Sequence, residues 1–471
     1  MANGYLVLSD LHLCDVEEHA DGWKSYKSER FTFDAELSAL LTRFEASAQP
    51  GDGLTLVLNG DIVDFDLVTA VPDPAPWPVA GHERRRGLEP TEAKSAWKLQ
   101  RVLSHHRALV EALAAFIVRG HRVVYVLGNH DRELHFEGVQ SVLVDALRDA
   151  GTRLCLVVPE RPVRFEPWFF HVPGELYAEH GNQYDYYTSF RHLLEPTWTH
   201  GGARHIALPM GNLSNRYLMS SMGYFNPHAA DYILNVFSYL THWLRHYAFT
   251  RRSLALNWFF GSLAAMGALL RQRGRTLRLP DDYDGRLAQA AQRADLSVEQ
   301  ILKLRALARK PITDRFFRVA REFWIDRLAL ALLMTLGTVM LAVADVPLWV
   351  KWMVPFSSFP LLYLGYEWLA RGETIFTVEH EIPLIARAIG ELLKVPIVTF
   401  GHTHLPRTIP VSKGVTFVDT GTWAPMLKER NRHAPGYWNY LQARVENGEA
   451  TLLLGSWLSA ERCQPAHSRK G

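Results

Sequence analysis

Short apolar runs rich in β-branched residues alternate with stretches of helical periodicity in the first third of the chain and again near its carboxyl end. Each run has the length and composition of a strand and ends in a cluster of Asp, His or Asn. The runs cover residues 5–9, 54–59, 123–127 and 395–400. Between them, residues 91–118 carry apolar side chains near helical spacing. This alternation predicts an α/β domain, in which ligands bind beyond the carboxyl ends of the strands.

The strand pattern stops in the middle of the chain. From residue 183 to residue 372 the sequence is helical in periodicity, aromatic and rich in arginine. We expect this region to be an all-helical insertion that divides the α/β domain into a first part, residues 1–182, and a second part, residues 373–460. Residues 461–471 are expected to form a frayed C-terminal tail.

Three long apolar stretches lie in this insertion. The first, residues 254–270, has arginines on both sides and suits a buried or interfacial helix. Residues 328–344 and 352–369 predict a helical hairpin, which either enters a membrane or packs as a soluble helical pair. A span would place both hairpin ends, and therefore the α/β domain, on the cytoplasmic face, because basic residues flank the hairpin. These flanking residues are Arg315, Arg318, Arg321, Arg327 and Arg371.

Composition and charge restrict the kinds of molecule that we expect the protein to bind. Apolar residues make up 48% and charged residues 21% of the chain, which excludes a mostly disordered protein. The insertion has a net charge of +9 and the remainder −7. Because the basic residues of the insertion alternate with long apolar stretches, we expect anionic lipid headgroups and no nucleic acid as partners. Three scattered cysteines and the lack of a secretory pattern favour the cytoplasm.

Five clusters of residue types that bind metals follow the predicted strands. One such cluster is most often structural, but five of them indicate a joint site. Asp, His and Asn offer oxygen and imidazole donors that suit divalent first-row metals. On an extended segment, side chains two residues apart share a side, so each D-x-H or H-x-H pair is expected to serve one centre. The clusters are Asp10-Leu-His12, Gly60-Asp61-Ile-Val-Asp64, Gly128-Asn129-His130-Asp131, His180-Gly-Asn182 and Gly401-His402-Thr-His404.

The order of these motifs resembles that of the calcineurin-like metallophosphoesterase superfamily, whose pattern is D-x-H, G-D-x-x-D, G-N-H-D/E, H and G-H-x-H. The resemblance covers residues 1–182 and 373–471, and it implies two β-sheets sandwiched between helices. It also implies two divalent metal ions, for which Mn²⁺ is the preferred identity and Zn²⁺ or Fe are the alternatives. The implied roles are Asp10, His12 and His404 on one metal, Asn129, His180 and His402 on the other, Asp61 bridging both, His130 at the phosphoryl or leaving group, and Asp131 orienting the ring of His130.

The family's activity is hydrolysis of a phosphate ester or pyrophosphate by metal-bound hydroxide. The opening Ser9-Asp10-Leu-His12-Leu13 and the helical insertion are similar to the UDP-2,3-diacylglucosamine pyrophosphatases, a membrane-associated branch. This chain departs from that branch at His130, where the branch has Arg, and at Asn182, where it has Asp. We expect a lipid-like substrate at the membrane, with a soluble nucleotide or sugar phosphate as the alternative. A scaffold without catalysis is disfavoured, because every expected ligand is present.

Overall fold

Two β-sheets that pack against each other form the centre of the protein, and helices cover their outer faces. The expected α/β sandwich is therefore confirmed. The computed structural model describes residues 3–20, 23–29, 32–48, 53–221, 223, 228, 241, 244–245, 254–369, 375–424, 438–446 and 449–457.

The first sheet contains β1 (Asn3–Leu8), β2 (Gly53–Asn59), β3 (Arg122–Val126), β4 (Val163–Glu166), β12 (Asn439–Glu446) and β13 (Glu449–Ser456). Its strand order is β13-β12-β1-β2-β3-β4. The four amino-terminal strands are parallel to one another, and β12 is antiparallel to both of its neighbours. The carboxyl ends of β1, β2 and β3, which carry three of the predicted motifs, therefore meet at one edge of the sheet.

The second sheet contains β5 (Phe169–Val172), β6 (Leu176–Glu179), β9 (Ile397–Phe400), β10 (Arg407–Ser412) and β11 (Val415–Asp419). Its order is β10-β11-β9-β6-β5, and β9 is parallel to β6. Strands β6 and β9 lie on either side of the expected insertion in the chain but pair directly in space. The sheet therefore brings the fourth and fifth motifs together across the insertion.

The strands are apolar on both faces because both faces are covered. In β1, Tyr5 and Val7 contact the other sheet, whereas Leu6 and Leu8 face the helices. Parallel strands that are buried on both sides show this continuous apolar pattern. Burial on both faces therefore accounts for the uninterrupted apolar runs in the sequence.

Helices occupy the outer layers and most of the described insertion. The helical pattern of residues 91–118 is two helices, broken at His106, whose ring contacts Asp34 Oδ1 at 2.7 Å and Cys14 O at 3.0 Å. The helices are α1 (Asp34–Ala46), α2 (Gly81–Arg86), α3 (Glu92–His105), α4 (Arg107–Val118), α5 (Glu137–Arg153), α6 (Met210–Tyr217), α7 (Leu254–Thr276), α8 (Tyr283–Ala294), α9 (Val298–Leu307), α10 (Phe316–Glu322), α11 (Ile325–Val343), α12 (Leu348–Leu369) and α13 (Ile375–Leu393).

Besides helices and loops, the described part of the insertion contains one two-stranded sheet, formed by β7 (Thr197–His200) and β8 (Ala203–Ile206). Helix α7 buries one face, which includes Ala265 and Leu269, and exposes the opposite face, which includes Phe260. Such one-sided burial fits the expected interfacial helix. The division of the chain at residues 182 and 372 stays a prediction.

Helices α11 and α12 form the expected hairpin, and none of their side chains is buried. At the base of the hairpin, Arg327 pairs with Glu367 through Nε–Oε1 at 2.5 Å and Nη2–Oε2 at 3.0 Å, and Tyr366 donates a hydrogen bond to Asp326. Among the described helices, Ile325–Val343 is the one long and apolar enough to cross a membrane by length and composition. Arg371, the last of the predicted flanking arginines, lies outside the described residues.

Candidate metal centre

The five motifs meet at one end of the sandwich, beyond the carboxyl ends of the strands. Backbone hydrogen bonds join their loops to one another: Asp10 N donates to Gly60 O at 3.1 Å, and Gly401 N donates to His180 O at 3.0 Å. The amide of His402 also donates to the carboxylate of Asp10 at 3.0 Å. Side chains from distant parts of the chain are therefore held in one place by their own backbone.

The predicted ligands form two overlapping groups. The ligand atoms of Asp10, His12 and Asp61 lie within 4.8 Å of one another, and so do those of Asp61, His180 and His402. Asp61 belongs to both groups, and its Oδ2 lies 3.0 Å from His180 Nε2. This is the geometry expected of a carboxylate shared by two cations.

His404 completes the first group. Its Nε2 lies 3.2 Å from Asp10 Oδ1 and 3.2 Å from His12 Nε2. The backbone at the pairs Asp10/His12 and His402/His404 differs from the extended conformation that the sequence predicted. Strands β1 and β9 end at Leu8 and Phe400, so the segments that follow are not extended.

Left-handed backbone conformations, and not an extended segment, aim these side chains at the site. The expectation that pairs two residues apart share a side of an extended strand is wrong here. Non-glycine residues adopt this region at a cost of about 1–3 kcal/mol each, and such residues cluster at functional sites. The predicted ligands with positive φ are Asp10 (54°), His12 (48°), Asp61 (53°), His402 (69°) and His404 (61°).

Two motif glycines allow the loops to approach the ligands closely. A Cβ on Gly128 would lie closer than 3.0 Å to the carboxylate of Asp61, and one on Gly60 would lie 2.5 Å from the ring of His180. Gly60 also has a φ of +83°, which strains any other residue. The glycines of the motifs therefore leave room for the ligand side chains.

The donor atoms fit divalent cations. Within the described part of the chain, Asn129 Oδ1 is buried and has no hydrogen-bond partner, whereas His180 Nε2 is buried against the carboxylate of Asp61. Buried polar atoms are normally paired, so each unpaired one needs an explanation. Both atoms are good metal donors, and the nearby carboxylates of Asp10 and Asp61 are at most 1% exposed. Two cations would satisfy the unpaired oxygen of Asn129 and compensate the buried negative charge.

The histidines of the site differ in the direction of their pKa shifts. Burial, reinforced by the charge of His228, lowers the pKa of His12 to about 3, so its imidazole is neutral, as metal binding requires. Burial also works against a charge on His180, but Asp61 and Asp10 outweigh it and raise the pKa of His180 to about 9. A metal ion would have to displace the proton of His180 and would then provide the same charge compensation.

Asp131 does not orient His130, contrary to the expectation from the sequence. Its Oδ2 accepts hydrogen bonds from Ile62 N at 2.9 Å and from the Tyr125 hydroxyl at 2.8 Å, and its Oδ1 accepts one from Gly128 N at 2.6 Å. With both oxygens engaged in these bonds, Asp131 holds the loops of the second and third motifs together.

Asp64 and Asp66 are the carboxylates that contact the ring of His130. Nδ1 of His130 lies 3.5 Å from Asp64 Oδ2 and 3.2 Å from Asp66 Oδ2. Asp64 Oδ2 also lies 3.4 Å from His12 Nδ1, so this carboxylate contacts a predicted ligand from behind. Burial of His130 lowers its pKa, but Asp64 and Asp61 more than offset this and raise the pKa well above its usual value.

The insertion contributes a histidine that the sequence did not reveal. His228 Nε2 lies 2.6 Å from Asp64 Oδ2, and the His228 ring stacks on that of His12 with centroids 3.5 Å apart. Its carbonyl oxygen lies 3.3 Å from His404 Nδ1. No strand-like run precedes residue 228, so the pattern that identified the other histidines could not identify this one.

The first residues of the insertion also contact predicted ligands. Thr188 Oγ1 lies 3.1 Å and Asp185 Oδ2 3.3 Å from His402 Nε2. Asn212 of α6 contacts both the side chain and the backbone carbonyl oxygen of Asn129. The insertion is therefore part of the site's immediate surroundings, although no sequence signal indicated this.

A family model described as calcineurin-like phosphoesterase matches residues 5–245, about half of the chain. The protein is thus a metal-dependent phosphoester hydrolase by class, and the chain belongs to the calcineurin-like phosphoesterase family. The match includes the first four motifs and extends past residue 182, whereas the structure adds His402 and His404 to the same site. No curated protein gives a significant match.

Replacing Asp61 by Ala should reduce the bound metal from about two ions per chain to well below one, because both groups lose their common ligand. Elemental analysis of protein reconstituted with Mn²⁺ and desalted measures this. Asp145→Ala serves as the control, because Asp145 is 67% exposed on α5. An unchanged content of two ions in Asp61→Ala would remove Asp61 from the bridging position.

Proposed function

We propose that this protein hydrolyses a phosphate ester or pyrophosphate at a centre of two divalent metal ions, on a lipid-like substrate at the cytoplasmic face of a membrane. The observation that carries the catalytic part is Asp61, which is shared by two groups of buried ligands. The lipid-like substrate is supported by the exposed apolar hairpin of the same chain.

The proposed ligands divide into two sets around Asp61. We assign one ion to an Asp and two His, the other to an Asn and two His. Oxygen and imidazole donors without thiolates favour Mn²⁺, with Zn²⁺ or Fe as alternatives. Two such ions, when bound by these residues, would lower the pKa of a shared water and neutralise charge on the phosphoryl group. The two sets are Asp10, His12 and His404, and Asn129, His180 and His402.

His130 is placed to assist departure of the leaving group. Two carboxylates contact its Nδ1, so Nδ1 carries a hydrogen and Nε2 is left for the substrate. A protonated imidazole can donate a hydrogen bond to a phosphoryl oxygen or a proton to a leaving oxygen. The pKa of His130, raised by Asp64 and Asp61 against the effect of burial, favours that protonated form.

Replacing His130 by Ala should lower kcat by about 10²- to 10⁴-fold, the usual contribution of a proton-transfer group, while both metal ions stay bound. Steady-state kinetics and metal analysis of the same preparation measure the two effects. His105→Ala, a change on the exposed end of α3, is the control. Loss of metal from His130→Ala as large as from Asp61→Ala would make His130 a ligand.

The hairpin supports the membrane part of the proposal by its dimensions and by its ends. Helix α11 has 19 residues, or roughly 28 Å at 1.5 Å per residue, close to the roughly 30 Å of a hydrocarbon layer. Tryptophans are enriched where a membrane meets water, and the hairpin exposes them at both ends. Trp324 and Trp368 lie at its base, and Trp349 and Trp352 lie near its tip.

Two of the described basic residues at the base already contact other side chains of the protein. Arg327 is neutralised by Glu367, and Arg318 lies over the ring of Tyr186 at 5.0 Å. Arg315 is exposed, and Arg321 is half-buried. Each basic residue near an anionic membrane contributes about 1 kcal/mol, so the charge supports binding but the apolar surface dominates it.

The wild-type protein should float with vesicles of phosphatidylglycerol and phosphatidylcholine, and Phe356→Glu should float less. Phe356 is 81% exposed in the middle of α12, and a charge at such a position costs about 2.5–3.5 kcal/mol in a membrane. Val157→Glu is the control, because Val157 is 89% exposed on the α/β domain, outside the hairpin. Full recovery of the wild type as a detergent-free soluble monomer would contradict membrane binding.

Hydrolysis assays on the Mn²⁺-reconstituted protein test the substrate class. The panel holds phospholipid and UDP-sugar-lipid phosphates together with soluble nucleotides and sugar phosphates. We expect the highest kcat/KM on an amphiphilic substrate, and a loss of this preference in Phe356→Glu. Faster turnover of a soluble nucleotide or sugar phosphate would replace the lipid proposal with the soluble alternative and leave the metal chemistry intact.

A further inference from the structure

Asn212, in the first helix of the insertion, contacts the third motif with its side-chain amide. The residue is 1% exposed. Its Nδ2 lies 2.7 Å from Asp66 Oδ2 and 2.9 Å from the carbonyl oxygen of Asn129. Its Oδ1 accepts a hydrogen bond from Asn129 Nδ2 at 3.3 Å. Both ends of the amide are therefore engaged, and all three contacts lie beside the proposed metal site.

These contacts determine which way each amide faces. A carboxylate and a carbonyl only accept hydrogen bonds, so the nitrogen of Asn212 must face Asp66 and the carbonyl of Asn129. The oxygen of Asn212 then faces Asn129, where only an N–H can donate to it. Asn129 Oδ1 is consequently directed away from Asn212, and it is one of the buried atoms without a hydrogen-bond partner among the described residues.

The orientation matters because the two ends of an asparagine amide have nearly the same shape but opposite chemistry. The oxygen can bind a cation, whereas the NH₂ group has no electron pair to offer and would repel it. A free Asn129 side chain would lose affinity for the metal whenever its NH₂ group turned toward the site. Groups behind a ligand commonly fix its orientation in this way.

We propose that Asn212 is a positioning residue of the metal centre. Held by Asp66, it fixes the amide of Asn129 so that Oδ1 faces the cation. This inference rests on the proposed function, and it gives the insertion a part in metal binding. Asn212 also lies 3.5 Å from Nδ1 of His130, so the same amide adjoins the proposed proton donor.

The neighbouring residues of α6 allow a sharp test. Met210, Leu213 and Tyr217 are buried in the core independently of the Asn212 amide, so they should hold the helix in place when Asn212 is changed. Leu matches Asn in size but offers no hydrogen bond. Asn215 lies on the same helix and is also buried, but its side chain makes no hydrogen bond to a motif residue, so Asn215→Leu is the matched control.

Mn²⁺ titration of the metal-free full-length protein is the experiment, followed by electron paramagnetic resonance. The wild type and Asn215→Leu should bind two ions and give the signal of a spin-coupled pair. Asn212→Leu should bind one of the two ions about 10- to 100-fold more weakly, and its signal should be that of uncoupled Mn²⁺ at two equivalents. A general loss of stability would affect both leucine variants, whereas loss of coupling in Asn212→Leu alone identifies the positioning role.

Two Mn²⁺ bound to Asn212→Leu with wild-type affinity and coupling would overturn the inference while leaving the proposed function intact. A wild type that binds fewer than two ions would overturn the proposed function itself. If Asn212→Leu does not fold, Asn212→Ser removes the amide with a smaller side chain and is judged by the same two results.

Discussion

The burial of several carboxylates at one end of the sandwich is the constraint on which the rest of the site depends. Asp10, Asp61 and Asp64 are at most 1% exposed, and removing a charge from water costs several kcal/mol unless it is compensated. Histidines surround these groups, and Asn129 Oδ1 is a buried donor atom without a hydrogen-bond partner among the described residues. Positive φ values at several residues of the same loops add to the cost. Hydrogen bonds between the loops hold these carboxylates in place, and cations bound here would compensate their charge.

Much of the fold and of the site could be predicted because it depends on local patterns. Strands buried on both faces appear in the sequence as apolar runs, and parallel strands place their carboxyl ends at the same edge. The residue types at those ends then indicate metal chemistry. The direction of individual side chains could not be predicted, as Asp131 shows. It is next to His130 in sequence but turns toward backbone amides, while Asp64 and Asp66 from another loop contact the ring.

The contributions of the insertion escaped prediction for a different reason. Asn212 and His228 lie in a region without the strand-then-ligand pattern, and only tertiary packing brings them to the motifs. Polar residues on helices are common, so neither stood out. The consequence is physical: the same insertion carries the exposed hairpin and side chains that contact proposed ligands. The proposed docking of the hairpin on a membrane and the proposed metal site therefore involve one continuous segment of chain.

Two cations are proposed to share the carboxylate of Asp61. Anomalous X-ray diffraction at the manganese absorption edge, from crystals grown with Mn²⁺, tests it most directly. We predict two peaks about 3.5–4 Å apart, on either side of Asp61, one beside Asp10 and His404 and the other beside Asn129 and His180. A single peak, or a peak held by Asp64, His130 and His228 instead, would contradict this account.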